Sequence, residues 1–359
     1  MQHRTYGRCA AAAAAVALAA SVAPAAAAPT PRERAAAATR HIADHQAESG
    51  AITGGFSRLG TTADAVIAFV AARRGERQID RALRWLRRNV EGASTLGLKA
   101  KLVLALISAG EDPRSFAGRD LVQEIADAHT ESGQYGGESD TEVGYHALAM
   151  VALNAAGEGP PESASQWLAD AQCGDGGWQF DEPSSGNDDE HCFDATAEND
   201  FARSDTNTTA YAVMALQGAE GPDAPNDPFA FFESARDEYK DGWVYEPHGK
   251  CTEETLGKEF CFLTDANSSA LVIMAYSATG ADVPRAGDRA LTALQYRLCG
   301  ENMGAFAFSW TYDAEADRFR KNGPSVGATV AAVPAIVRWP LGPGSGLVTK
   351  PPPRRRPCN

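Results

Sequence analysis

Two stretches of this chain hold residue types that could do chemistry, and each is a copy of the other: Asp205-Thr206-Asn207-Thr208-Thr209-Ala210 and Asp265-Ala266-Asn267-Ser268-Ser269-Ala270. An acid, an amide and two hydroxyls stand close together, each time ahead of an apolar run. Such a row has two uses. A carboxyl kept protonated by its surroundings is a general acid, which makes Asp205 and Asp265 the weak catalytic candidates of the chain. The same residue types are the preferred N-caps of helices, where side-chain oxygens accept from the unpaired N–H groups of the first turn. A third copy, Asp140-Thr141-Glu142, does not keep the pattern. Asn207-Thr208-Thr209 and Asn267-Ser268-Ser269 also fit the glycosylation acceptor pattern, which placement at helix starts makes coincidental.

What must position these blocks is a repeat. From Ala35 onward a polar amphipathic helix leads through a Gly-plus-aromatic turn into a smaller-residue, apolar helix, and the unit recurs. The spacing predicts paired helices over 35–46 and 61–73, 79–90 and 95–109, 119–129 and 141–156. Three further pairs follow over 162–172 and 205–219, 227–238 and 265–279, 286–297 and 325–337. The turns are Gly54-Gly55-Phe56, Gly133-Gln134-Tyr135, Asp175-Gly176-Gly177-Trp178, Asp241-Gly242-Trp243 and Gly304-Ala305-Phe306, and the second unit has none. In 79–90, Arg81, Arg84, Arg87 and Arg88 oppose Leu83, Trp85, Leu86 and Val90, as on an outer surface, whereas 208–216 is apolar nearly all round, as for burial between neighbours. No polar capping unit marks either end, so six pairs closing on themselves are expected: an all-α (α/α)6 toroid with inner and outer helix layers, over 29–338.

The fourth unit, Gln172 followed by Asp175-Gly176-Gly177-Trp178, resembles the glutamine and tryptophan repeat of squalene-hopene cyclases and protein prenyltransferase β subunits, with weaker copies at Gln46 with Phe56 and Gln295 with Phe306. The resemblance implies that the repeat is structural, tying an outer helix to the next inner one. It also implies a terpenoid-cyclase toroid in which the block at an inner-helix start carries clustered aspartates, the central one protonating a double bond or epoxide. Here that place holds Asn207 or Asn267, followed by Thr208 or Ser268. An amide cannot donate that proton, so the resemblance leans against catalysis. Together with the leader described below, the two blocks and the DGGW turn also look like exported bacterial relatives of the transcobalamin and intrinsic-factor helical domain, which implies a corrinoid at the barrel mouth. This chain lacks the β-rich second domain that closes over the ligand in those carriers, so a partner would have to supply the lid.

Arg4 and Arg8, the apolar run 10–23 and the small residues 24–28 read as a signal peptide over 1–28, and the run is short of the ~20 residues that span a bilayer. An exported, cell-surface or extracellular protein without a membrane span is expected. Without 1–28 the chain has 31 basic and 47 acidic residues, a net charge of −16, which repels nucleic acid and anionic membranes. Residues 339–359 form a Pro, Gly and Arg-rich tail in which Arg354-Arg355-Arg356 reads as solvated. Export and an even cysteine count point to disulfides: Cys173 with Cys192, Cys251 with Cys261, and by elimination Cys299 with Cys358. Zinc is not expected, because His146, His191, His248, Cys192 and Cys251 show no close ligand spacing. The acidic loop 187–200 reads as solvated instead of a calcium site, and no cofactor is predicted. The expected function is binding of a small apolar or macrocyclic ligand, isoprenoid or corrinoid-like, at the barrel mouth and without cyclase catalysis, by Tyr145, Asp205, Asn207, Thr208, Tyr211, Asp265, Asn267, Ser268, Trp310 and Tyr312. The expected partners are that ligand, a membrane transporter or a lid-supplying protein. The alternatives are a diverged terpene cyclase, a polysaccharide-active (α/α)6 enzyme with Asp205 and Asp265 as its carboxylate pair, or a wall-associated scaffold.

Overall fold

A computed structural model describes residues 28–136, 142–181, 203–217, 219, 221–258, 260–297, 300, 302–339 and 341. Cys192, Cys299, Cys358, the leader, the acidic loop 187–200 and the arginine cluster lie outside them.

The outer helices are α1 (Pro31–Asp44), α3 (Glu76–Arg88), α5 (Leu121–Ala126), α7 (Glu162–Asp170), α9 (Pro228–Ser234) and α11 (Arg285–Leu294). The inner helices are α2 (Arg58–Ala71), α4 (Leu96–Ala109), α6 (Val143–Ala155), α8 (Thr206–Gln217), α10 (Ala266–Ala278) and α12 (Val326–Ile336). Each inner helix packs on the next, and α12 packs back on α2, so the inner layer closes into a ring. The chain is an all-α toroid of six hairpins, as the layer polarity predicts. On α3 only Ala82, Leu83 and Leu86 are buried. On α8, Thr206, Thr208, Thr209, Ala210, Ala212, Val213, Met214 and Ala215 are buried.

The expected outer-to-inner tie is made by Trp178, whose Nε1 donates to Leu168 O of α7 at 2.7 Å and whose backbone N–H donates to α8, while the glutamines join one outer helix to the next. The Gln172 amide donates from Nε2 to Gly176 O at 2.9 Å and Asn226 O at 3.0 Å, and accepts from Asn226 N at 2.7 Å, so it bridges its own turn to the start of the next outer helix. Gln46 bridges Gly50 O and Gln78 O in the same way. Gln295 bridges Gly304 O and Arg34 O, which joins the sixth unit to the first. The inner layer is held instead by the backbone N–H of the turn residue. Trp178 N donates to Thr209 Oγ1 at 2.9 Å, Trp243 N to Ser269 Oγ at 3.2 Å and Phe306 N to Thr329 Oγ1 at 3.0 Å. His146 takes this place in α6, accepting from Tyr135 N at 2.8 Å. Burial lowers its pKa to about 3, so the ring is neutral and structural. In the first unit the residue is Ile52, bonded to Thr62 Oγ1 and fully buried, whereas Phe56 is fully exposed. The pairing of Gln46 with Phe56 is therefore corrected to Gln46 with Ile52. Glycine is needed in these turns for close approach. At Gly176, with φ +87°, a Cβ would lie 2.7 Å from Asp227 O of the next unit.

Short strands that the periodicity did not announce line one end of the ring: β1 (Trp178–Gln179) with β2 (Ser204–Asp205), β3 (Phe306–Ala307) with β6 (Pro324–Ser325), and the hairpin β4 (Trp310–Asp313) with β5 (Arg318–Lys321). Cys251 and Cys261 are bonded, as expected, and close the loop that follows Trp243. Cys173 is also disulfide-bonded. Past α12, Trp339 and Leu341 still pack against the core. Among the described residues no helix is long and apolar enough to cross a membrane.

Candidate functional site

All inner helices start at the same end of the ring, and the first turns of five of the six are built alike, the N-cap Glu142 of α6 making no side-chain cap. Ser57, Thr95, Asp205, Asp265 and Ser325 each accept from the backbone N–H three residues on, at Gly60, Leu98, Thr208, Ser268 and Ala328. The capping role expected of Asp205 and Asp265 is therefore real, and hydroxyl caps do the same elsewhere.

Residues two or three, six or seven, and nine or ten positions past these caps fall on one helix face and line an axial lumen of about 510 Å³. The outermost tier holds Leu98, Asn207, Thr208 and Asn267. The middle tier holds Asp64, Lys101, Tyr211, Leu271 and Ala331. Ile67, Met274 and Pro334 form the innermost tier. A second cavity of about 550 Å³ adjoins the mouth and shares Phe56, Asn207, Tyr245 and Asn267 with the lumen. Its walls come from the disulfide loop, from the start of α10 with Asp265 and Ser268, and from β4 with Trp310 and Tyr312. The ten residues singled out from the sequence thus lie on the walls of two adjoining cavities, with Tyr145 packed edge-on against Phe180 in the lumen at 5.1 Å. The large hydrophobic side chains that stand exposed among the described residues are Phe56 at 103%, Phe260 at 85% and Phe308 at 42%, and all three line these cavities.

Polar groups at the mouth are short of partners. Asp205 is buried and spends Oδ1 on the N–H groups of Asn207 and Thr208, both at 2.8 Å, while Oδ2 has no partner. Burial, against the pull of those N–H groups, raises its carboxyl to about 7, and the nearby Glu246 adds to the rise. Asp265, also buried, is raised to about 6. The buried Oδ1 atoms of Asn207 and Asn267, Ser268 Oγ and Trp310 Nε1 likewise lack partners. Of the zinc candidates, His191 and Cys192 lie outside the described residues, His146 is a hook and Cys251 is in a disulfide.

The lumen also contains charges that the motif search passed over. Lys101 Nζ lies 2.7 Å from Asp64 Oδ2, in the same tier as Leu271 and Ala331. Burial pulls the ammonium down, but Asp64 outweighs it and holds the pKa above the usual lysine range. Angular spacing could have found it. Lys99 and Lys101 are two residues, about 200°, apart on α4; Lys99 pairs with Glu124 of the outer layer at 3.3 Å, which leaves Lys101 facing inward.

No described protein family matches this chain, and no curated protein does. Solved structures match well along their length. An α-amylase from Clostridium perfringens is 10% identical with a TM-score of 0.56, over 86% of this chain and 98% of that one. The type II terpene cyclase MstE from Scytonema is 11% identical with a TM-score of 0.53, over 86% and 98%. An unsaturated glucuronyl hydrolase from Streptococcus agalactiae is 10% identical with a TM-score of 0.54, over 86% and 90%. The likeness is one of fold. It sets this chain among α/α toroids whose sites carry unrelated chemistries, so function has to be argued from the lumen and its mouth.

Proposed function

We propose that this protein binds a small, largely apolar molecule in the lumen and at its mouth, without cyclase chemistry. The observation that carries the reading is the apolar-walled lumen of about 510 Å³, within the size range of small-molecule sites. The exposed Phe56, Phe260 and Phe308 at its mouth support it, because grouped exposed hydrophobics mark binding surfaces. Asn207 and Asn267, where a cyclase-type cluster would need an acid, support a binding role over protonation. Tyr145, Thr208 and Tyr211 then contact the ligand inside, and Ser268, Trp310 and Tyr312 at the mouth. In this reading the protein works outside the cell and either receives a lid from a partner or hands its ligand to a transporter. Of the two ligand classes suggested by resemblance, an isoprenoid suits the lumen and a corrinoid the broader mouth.

Thermal-shift titration and equilibrium dialysis with farnesol and with cyanocobalamin test the reading. Farnesol is expected to raise Tm in the parent chain and not in Ala331→Phe, which fills the middle tier. N207A/N267A is expected to weaken binding several-fold with little change in ligand-free Tm, since neither side-chain Oδ1 holds a hydrogen bond that the fold would lose. Cobalamin binding that ignores Ala331→Phe and fails in Trp310→Ala would move the site to the mouth. No binding of either compound would end the proposal.

One observation favours a second, enzymatic reading: the buried Asp205 carboxyl is still half protonated near neutral pH and lines the lumen. Turnover of a polyene by the parent chain, lost in Asp205→Asn, would establish that reading instead.

A further inference from the structure

The ion pair of Asp64 and Lys101 has no evident task in the fold. Replacing a buried or half-buried ion pair by packed apolar residues is often neutral or stabilising, and the same position past the cap on α10 and α12 is occupied by Leu271 and Ala331. The pair faces the lumen, with about a third of each side chain exposed. Its one recorded hydrogen bond runs from Nζ to Asp64 Oδ2, so the ammonium has further donors and Asp64 a further oxygen. Tyr211 of α8 lies close enough to interact with both charges, and Leu271 of α10 and Ala331 of α12 are the aliphatic members of the same tier.

We propose that Asp64 and Lys101 read a single hydroxyl on an otherwise apolar ligand, so that the lumen selects a lipophilic alcohol over the matching hydrocarbon or acid. The inference rests on the lumen being the binding site. The hydroxyl oxygen accepts from Lys101 while its proton is donated to Asp64, so one small group satisfies both members of the pair. A hydrocarbon leaves them unanswered. A carboxylate would set a second anion beside Asp64 in a lumen whose paired charges already cancel. The rest of the molecule then lies against Leu271, Met274 and Pro334, and the hydroxyl sits about two turns below the mouth.

Equilibrium dialysis of the full protein with farnesol, farnesane and farnesoic acid tests this. Farnesol is expected to bind at least tenfold tighter than farnesane, about 1.4 kcal/mol, and tighter than farnesoic acid. Lys101→Met is expected to bring farnesol and farnesane within about threefold of each other. D64A/K101L, which gives α2 and α4 the aliphatic residue types that α12 and α10 carry in this tier, should do the same and guards against a loss caused by an unpaired Asp64. Preference for the alcohol retained in both variants, or tenfold preference for the acid in the parent chain, would overturn the proposal while leaving the lumen as the site. Failure of all three compounds to bind the parent chain would refute the lumen reading and this inference together.

Discussion

Asp205 divides its labour between its two oxygens. One caps α8, and the other is buried without a partner. Burial therefore dominates its titration and raises the folded pKa to about 7, against roughly 3.9 for an unfolded aspartate. For an acid with a raised folded pKa, the folded state is favoured by protonation. The penalty begins as pH climbs past the unfolded value and is complete above the folded one. Asp205→Asn removes the ionisation and keeps a capping oxygen. The variant is expected to match the parent near pH 4 and to exceed it above pH 7, by at most about 4 kcal/mol from three pK units. Thermal denaturation across that range checks it. A variant less stable than the parent at pH 8 would mean that the fold holds this carboxyl as an anion.

At the scale of the element, the glutamines decide how one hairpin meets the next. Gln172 makes three hydrogen bonds, two of them to the unit that follows. Gln172→Ala leaves Gly176 O, Asn226 O and Asn226 N without this partner and is expected to cost about 2–4 kcal/mol, since each buried unsatisfied group costs about 1–3 and relaxation recovers part. A midpoint shift under 1 kcal/mol in urea would show the bridge to be incidental. The hairpins themselves were legible, because an amphipathic outer helix and a uniformly apolar inner one leave different periodicities. The β4–β5 hairpin was not: its eight residues are half-buried or exposed, so no buried face writes an alternation into the sequence. Phe56 drew the repeat pattern away from Ile52, because a pattern search favours the aromatic and only the backbone path shows which residue turns inward. The capping blocks marked the end of the ring at which the lumen opens. Asp64 and Lys101 stayed hidden because a charge on a helix reads as an outer face until its angle to its neighbours is worked out.

At the scale of the molecule, closure makes the seam between the sixth and first units an ordinary joint. Gln295 Nε2 reaches Arg34 O, and Arg34 Nη1 returns to Gln295 Oε1, across 261 positions of sequence. Gly304 lies so close to α1 that a Cβ would fall 2.4 Å from the Ala37 carbonyl carbon. In an open array each unit touches only its neighbours, and a weakened end frays alone. In a ring, the loss at one joint is felt by every helix that depends on closure. Gln295→Ala is therefore expected to lower stability about as much as Gln172→Ala, in a single transition. Amide hydrogen exchange in α6, across the ring from the seam, should accelerate by the same free energy as exchange in α12. Acceleration confined to α1 and α12, with α6 unchanged, would show that the toroid folds as a chain of neighbours whose ends merely touch.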